Sequence, residues 1–129
     1  MGKISNKSVL VIDDDVGMLR ALTKVLSGEG CLVATAACPE TAVAFLNEGE
    51  RRFDLIITDL RMPGLNGMGV LQAVKTAYPG VPVIIITAFG SPEARAEASR
   101  LGATAFLEKP VDTEQLFAVI NQEPTPPQA

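Results

Sequence analysis

The chain contains no histidine at all. This absence excludes Ser/His and Cys/His catalysis, histidine general bases and histidine metal sites. Any chemistry that the chain performs must therefore use carboxylates, hydroxyls, lysines or its two cysteine thiols.

The chain also lacks an excess of positive charge and any long apolar run. Eleven Lys and Arg residues stand against fifteen Asp and Glu, which gives a formal net charge of −4. This is the wrong sign for gripping a phosphate backbone, so we expect no direct binding of nucleic acid. No stretch of about 18 apolar residues is present, so we expect neither a membrane span nor a secretion signal.

Cysteine is scarce, and the two that occur, Cys31 and Cys38, flank a predicted strand. An extended segment of that length holds their α-carbons beyond disulfide reach. We therefore predict two reduced thiols and a cytoplasmic protein.

The length of 129 residues fits one domain, and a composition of 47% hydrophobic and 20% charged residues is that of a globular protein. We expect residues 1–7 to form an N-terminal tail and residues 8–122 to form the folded domain. The end, EPTPPQA, holds three prolines in seven residues. Residues 123–129 are therefore predicted to be a proline-rich tail or the start of a linker to another domain.

Apolar runs of strand length alternate along the chain with segments of helical period. Strands are predicted at Ser8–Asp13, Cys31–Ala36, Asp54–Thr58, Val83–Thr87 and Ala105–Leu107. A helix is predicted after each strand, and these five helices begin after Asp15, at Pro39, before Val70, at Pro92 and after Asp112. Such alternation predicts a single α/β domain with a five-stranded parallel sheet and helices on both faces.

Polar residues follow the predicted strands at their carboxyl ends, the edge where ligands bind in open α/β sheets. The residues concerned are Asp13, Asp14 and Asp15 after the first strand, Asp59 after the third, Thr87 at the end of the fourth, and Lys109 after the fifth. Each alone has an ordinary explanation, such as a helix cap for Asp15 or a surface position for Lys109. Together, Asp13, Asp14 and Asp59 would repel one another on adjacent strands, which predicts a bound cation.

Asp59 is the candidate nucleophile of this edge. A carboxylate can attack phosphorus to give an aspartyl phosphate, whose added charge then needs neutralising. The Lys109 ammonium and the Thr87 hydroxyl could each bind one phosphoryl oxygen. Oxygen ligands that leave room for water and for a phosphoryl group suit Mg²⁺ better than Zn²⁺.

Four segments, VLVIDDD, DLIITDLRMPGLNG, VPVIIITAFG and GATAFLEKP, resemble in order and spacing the receiver domain of two-component response regulators of the chemotaxis-regulator type. The resemblance covers Ser8 to Asn121. It implies a flavodoxin-like (βα)5 fold with strand order 2-1-3-4-5. It also implies that Asp59 takes a phosphoryl group from a phosphohistidine on a sensor histidine kinase or phosphotransfer protein.

The resemblance further implies a set of ligands for Mg²⁺. Asp14 would bind the ion directly, and Asp13 would act mostly through water. Asp59 and the backbone carbonyl of Arg61 would complete the protein ligands. Arg61 and Phe89, near the mouth of the site, are expected to tune the hydrolysis of the phosphoryl group.

Phe106, three residues before Lys109, matches the switch aromatic of the family. The resemblance implies that Thr87 moves toward the phosphoryl group and that the Phe106 ring shifts from an outward to an inward position. The alternative is that Phe106 is simply a core residue of the fifth strand. The resemblance also implies a cis Lys109–Pro110 bond.

The surface expected to change is formed by the helix from Pro92, the fifth strand and the last helix. The resemblance places partner binding or homodimerisation there, together with control of an output domain. The proline-rich end resembles a linker and favours a domain of a larger regulator, with a stand-alone receiver as the alternative.

Three other classes of protein fit the sequence less well. A haloacid dehalogenase-type phosphatase needs a second Asp two positions after its nucleophile, where this chain has Arg61. We therefore expect a phosphoryl acceptor with at most slow autodephosphorylation, and not an enzyme. A flavin binder would need hydroxyls and amides where Asp13 to Asp15 repel phosphate. The complete set of acids, threonine and lysine argues against a receiver-like docking module without phosphorylation.

Overall fold

The computed structural model describes residues 6–38, 41, 44, 53–59, 67–77, 80–88 and 90–122. Over these residues the elements are β1 (Ser8–Ile12), α1 (Val16–Gly28), β2 (Leu32–Ala36), β3 (Leu55–Thr58), α2 (Gly67–Ala77), β4 (Val83–Thr87), α3 (Pro92–Arg100), β5 (Ala105–Glu108) and α4 (Thr113–Gln122). All five predicted strands are present.

The strands form one parallel sheet in the order β2-β1-β3-β4-β5. This confirms the α/β fold class and the strand order that the resemblance implied. In the register of the sheet, Leu10 of β1 lies between Ala34 of β2 and Ile56 of β3. Because all strands run in the same direction, their carboxyl ends lie along one edge, which we call the carboxyl rim.

The central strands are buried on both faces, as their continuous apolar runs predict. Every residue of β3 and β4 is buried, and in β1 only Ser8 is partly exposed. One apolar cluster contains Leu10 and Ile85 together with residues of α2 and α3. A second cluster contains Val11 and Ile84 together with residues of α1 and α4. The helices therefore cover the sheet in two layers.

Short polar side chains begin α1 and α3 at the predicted positions. The Asp15 side chain accepts a hydrogen bond of 3.2 Å from the backbone N–H of Met18. The Ser91 hydroxyl accepts one of 3.0 Å from the N–H of Ala94, with Pro92 as the first helical residue. Each bond satisfies an N–H that has no partner within its helix, so these caps fix where the two helices start.

Several element boundaries differ from the prediction by one residue. Cys31 and Asp54 lie just before their strands, and β5 continues to Glu108. The Asp54 carboxylate instead accepts a hydrogen bond of 2.8 Å from the backbone N–H of Ser8. Neither Cys31 nor Cys38 forms a disulfide, as predicted.

Some predictions fall on residues that the structure does not describe. The predicted helix from Pro39 lies mostly outside the described residues, although Thr41 and Ala44 are helical. Residues 1–5 and the end of the chain, 123–129, also lie outside them. Within the described part of the chain, the helices are too short or too polar to cross a membrane.

Candidate functional site

The carboxyl rim holds the predicted site residues because each follows or ends a strand. Backbone hydrogen bonds extend the sheet just past the strands and fix these positions. The N–H of Asp59 donates to the carbonyl of Ile12 over 3.0 Å, and the N–H of Lys109 donates to the carbonyl of Thr87 over 2.9 Å. Asp13 is held in the same way by the carbonyl of Ala36, over 3.0 Å. Backbone hydrogen bonds therefore fix where Asp13, Asp59 and Lys109 lie at the rim.

Three carboxylates meet at the rim, as the sequence predicts. One oxygen from each of Asp13, Asp14 and Asp59 lies within 4.8 Å of the other two. Asp13 and Asp59 are buried, whereas Asp14 is exposed. Like charges this close repel strongly where water is scarce, so the cluster favours a positive charge among the three oxygens.

Lys109 supplies one positive charge to the cluster. Its Nζ lies 3.0 Å from Oδ2 of Asp59 and 2.8 Å from Oδ2 of Asp13. The sequence predicts that Lys109 meets the acids at this edge, and the structure adds that one ammonium binds both Asp13 and Asp59. The Lys109–Pro110 bond is cis, as the resemblance implied.

The surroundings of Asp13 and Lys109 shift the pKa of each group. Burial raises the pKa of the Asp13 carboxyl, and the hydrogen bond from Lys109 only partly opposes this. Burial disfavours the charge on Lys109, but its bonds to Asp13 and Asp59 together outweigh burial and raise its pKa. The Lys109 ammonium therefore stays charged. Its single positive charge does not balance the negative charges of the acid cluster.

The donor set of the cluster suits a hard divalent ion. Asp13, Asp14 and Asp59 offer carboxylate oxygens, the ligands that Mg²⁺ prefers. The backbone N–H of Asp15 donates to Oδ1 of Asp13 over 3.0 Å, which orients that carboxylate. The exposure of Asp14 leaves the cluster accessible to an ion with its own waters. The residues present therefore fit Mg²⁺.

Thr87 and Phe106 lie on the neighbouring strands β4 and β5. Thr87 is fully buried at the end of β4, and Phe106 pairs in register with Ile85, two residues earlier. Because side chains alternate along a strand, Thr87 and Ile85 point to the same face. The Phe106 ring packs partly buried against the apolar cluster on that face, which contains Ile85. A movement of Thr87 would therefore change the packing on the face of the sheet that carries Phe106.

Arg61 and Phe89 were predicted near the site, and Arg95 was not. Arg61 and Phe89 lie outside the described residues, so their positions are not assigned. Sequence reasoning did not single out Arg95 of α3, whose guanidinium carbon lies 4.6 Å from the centroid of the Phe106 ring. The one available signal was the shortage of apolar residues in this helix, which does not indicate where a long polar side chain will lie.

Comparisons with known proteins agree with this geometry. Residues 9–121 match the family model described as the response regulator receiver domain. The chain is 39% identical over 113 residues to the transcriptional regulatory protein GlrR of Escherichia coli, covering 88% of this chain and 25% of that protein. It is 39% identical over 115 residues to ZraR of Salmonella typhimurium, covering 89% of this chain and 25% of that protein. The chain thus spans about a quarter of these relatives.

A solved structure gives the same result for the fold. The response regulator receiver domain protein of Clostridium thermocellum superposes with a TM-score of 0.83 at 34% identity, covering 89% of this chain and 91% of that one. The likeness therefore extends over nearly the whole of both chains. With the family match over residues 9–121, it shows that this chain belongs to the response regulator receiver domain family.

Proposed function

We propose that Asp59 accepts a phosphoryl group from a phosphohistidine of a sensor histidine kinase or phosphotransfer protein. A carboxylate oxygen of Asp59 attacks phosphorus, the phosphorus–nitrogen bond of the donor breaks, and the imidazole leaves with the electron pair. One observation carries this proposal: the Asp59 carboxylate lies between two other acids and the Lys109 ammonium.

Mg²⁺ would be held by Asp14 directly, by Asp13 mostly through water, by Asp59, and by the backbone carbonyl of Arg61. The three carboxylates support this assignment because their oxygens lie within 4.8 Å of one another. When bound, the ion would neutralise charge on the phosphoryl oxygens.

Lys109 and Thr87 would bind the phosphoryl group on its other sides. Lys109 Nζ is 3.0 Å from Asp59 Oδ2, so a phosphoryl group on that carboxylate would lie within reach of the ammonium. The Thr87 hydroxyl, on the neighbouring strand, would donate to another oxygen. Moving Thr87 toward that oxygen would leave space on the face where the Phe106 ring packs, and the ring would change position.

The signal would leave through the surface formed by α3, β5 and α4. This surface would bind a partner or a second copy of the chain and control an output domain. The relatives GlrR and ZraR are named as transcriptional regulatory proteins, so we propose transcription as the output of the full regulator. We further propose a cytoplasmic setting, residues 8–122 as the receiver unit, and a tail or linker at 123–129.

The chain itself would be a switch with at most slow autodephosphorylation. A phosphatase with an Asp nucleophile needs a second Asp two positions later to protonate its leaving group, and Arg61 occupies that position. The phosphoryl group would therefore stay on Asp59 long enough to shift a conformational equilibrium.

Acetyl phosphate tests the proposal without the cognate kinase. With Mg²⁺ present, the intact mass of the chain is expected to rise by about 80 Da, the mass of one phosphoryl group. Asp59→Asn is expected to abolish the rise. Asp54→Asn is the matched control because Asp54 lies before the same strand and is bound to the backbone of Ser8. An unchanged wild-type mass, under conditions that phosphorylate another receiver domain, would refute the proposal.

A further inference from the structure

The Phe106 ring is held on one face by Arg95 of α3. The guanidinium carbon of Arg95 lies 4.6 Å from the ring centroid, which is within the range of cation–π attraction. Nη1 of the same guanidinium donates a long hydrogen bond of 3.3 Å to the backbone carbonyl of Phe106. A planar guanidinium can stack and donate at once. One side chain thus joins α3 to β5 at the ring.

The edge of the same ring meets the loop between β4 and α3. A methyl group on Gly90 would lie 2.9 Å from Cε1 of Phe106 and 2.7 Å from Oε2 of Glu108, closer than such atoms pack. The ring therefore has no free space toward Gly90. It lies between Gly90 and the guanidinium of Arg95.

Beside the ring, α3 and β5 are not tightly packed. They leave a cleft of about 190 Å³, lined by Arg95, Ser99, Ala103, Thr104, Ala105 and Phe106. The cleft is open to solvent, so close packing does not fix α3 against β5 at this place.

Helix α3 has little else to hold it in place. Ala98 is the one residue of the helix that is buried. Arg95 is itself exposed, as are Glu93 and Arg100. An element that buries so little apolar surface is expected to be easily repositioned. Arg95 therefore adds two contacts to the apolar packing of Ala98 and Ala94 that holds α3 on the sheet.

We propose that Arg95 is a latch: it holds the Phe106 ring, and α3 with it, in the arrangement that accompanies an unmodified Asp59. The proposal rests on the proposed phosphorylation of Asp59 and adds a residue that sets how readily the switch occurs. A ring that changes position loses the guanidinium from its face. A contact present in only one of two states favours that state and opposes any ligand of the other. Arg95 is thus a positioning residue that acts through Phe106.

Beryllofluoride with Mg²⁺, a stable mimic of the phosphoryl group, tests the latch. Arg95→Ala is expected to lower the apparent dissociation constant of beryllofluoride about two- to five-fold, the effect of losing one exposed cation–π contact from the unmodified state. Arg95→Gln keeps a good helix former and is expected to act in the same direction. Arg100→Ala is the matched control, because it removes the same charge from the same helix without touching Phe106.

A second readout separates the latch from a general effect on stability. Selectively ¹³C-labelled phenylalanine reports the Phe106 ring, which is assigned by its loss in Phe106→Leu. In Arg95→Ala without beryllofluoride, this signal is expected to move toward its position in the wild-type protein with beryllofluoride. In Arg100→Ala it is expected to stay in place.

The outcomes distinguish the latch from the function on which it rests. If wild-type protein binds beryllofluoride but Arg95→Ala binds it no more tightly, or Arg100→Ala gains as much, the latch is wrong and the phosphoryl site stands. If wild-type protein does not bind beryllofluoride, the proposed phosphorylation of Asp59 is wrong and the latch fails with it.

Discussion

The charges of Asp13, Asp59 and Lys109 explain why the carboxyl rim is expected to bind a cation. Asp13 and Asp59 are buried and share the ammonium of Lys109, at 2.8 and 3.0 Å. Two carboxylates with one ammonium leave a net negative charge in a place where water screens poorly. Repulsion between the two carboxylates therefore destabilises the site until a cation or a proton binds there.

The pH dependence of the free energy of unfolding is expected to reveal this destabilisation at Asp13. Burial raises the pKa of Asp13, so the folded chain binds this proton at a higher pH than the unfolded chain does. The resulting destabilisation is fully present above the folded pKa, and it disappears as pH falls below the ordinary pKa of an aspartate. Asp13→Asn removes this titration. Its stability advantage over the wild type is therefore expected to shrink as pH falls through this range.

Denaturant unfolding at several pH values, with a chelator present, measures this difference. The matched control is Asp14→Asn, which removes the same charge one residue later from an exposed side chain. If the free-energy difference between wild type and Asp13→Asn does not change with pH, the proposed cost of burying this carboxylate is wrong.

The ammonium of Lys109 is expected to be partly replaceable by a divalent ion. Lys109→Met keeps much of the apolar stem but leaves Asp13 and Asp59 without a cation, so it should lower the free energy of unfolding in chelator. The loss of one partner from a buried pair typically costs about 3–5 kcal/mol, and the partial exposure of Lys109 places this variant at or below the lower end. Mg²⁺ should restore more stability in the variant than in the wild type.

Thermal unfolding in chelator and at increasing Mg²⁺ concentration compares the two proteins. Lys24→Met, on an exposed position of α1, controls for the loss of one positive charge. Equal stabilisation of Lys109→Met and wild type by Mg²⁺ would show that lysine and ion do not compensate the same carboxylates.

At the scale of elements, the sequence predicted the strands and the helix starts well because their signals are local. The run from Val83 to Ile86 is apolar throughout, and Ser91 followed by Pro92 is typical of a helix start, with Ser as the cap and Pro as the first helical residue. The predicted starts of β2 and β3 are one residue too early, because Cys31 and Asp54 are compatible with both a strand and a loop. In the structure, Asp54 binds the backbone of Ser8 instead of extending its strand.

The contacts between elements were not predictable from the sequence in the same way. The acids converge because parallel strands end at one rim, a rule of topology. The sharing of Lys109 with Asp13 and the position of Arg95 over Phe106 depend on side-chain conformations that no sequence period records. The positions of long flexible side chains therefore could not be predicted from the sequence.

The cap of α3 is expected to matter because this helix buries little. Ser91→Ala removes the hydroxyl that accepts from the N–H of Ala94, which typically costs about 0.5–2 kcal/mol. Hydrogen exchange should become faster in the first turns of α3 and remain unchanged in α1. Ser99→Ala, an exposed serine in the same helix, is the control. Equal exchange rates in Ser91→Ala and Ser99→Ala would contradict this account of the helix start.

At the scale of the whole molecule, one sheet separates two apolar clusters. Continuous apolar strands predicted this arrangement, since only a strand covered on both faces can bury such a run. The outer strand β2 shows the contrast, because its first residue, Leu32, is 66% exposed. Stability should therefore depend on a leucine's place in the sheet and not on its residue type.

Two leucines in neighbouring strands test this dependence. Leu10 is fully buried in β1, and Leu10→Ala is expected to cost about 2–5 kcal/mol, a large part of the roughly 5–15 kcal/mol that stabilises a typical domain. Leu32→Ala should cost less than about 1 kcal/mol. The midpoints of urea unfolding measure both values, given equal slopes. Similar losses in the two variants would contradict the assignment of the core.

We expect the rim of this sheet to be phosphorylated at one carboxylate, and only when a divalent ion is present. Treatment with acetyl phosphate and Mg²⁺, followed by reduction with borohydride, converts an aspartyl phosphate to homoserine, and trypsin then releases residues 53–61 as one peptide. Fragment masses are predicted to place homoserine at residue 59, with none when Mg²⁺ is chelated. Homoserine at Asp54 or at another acid, or an equal yield in chelator, would contradict the account.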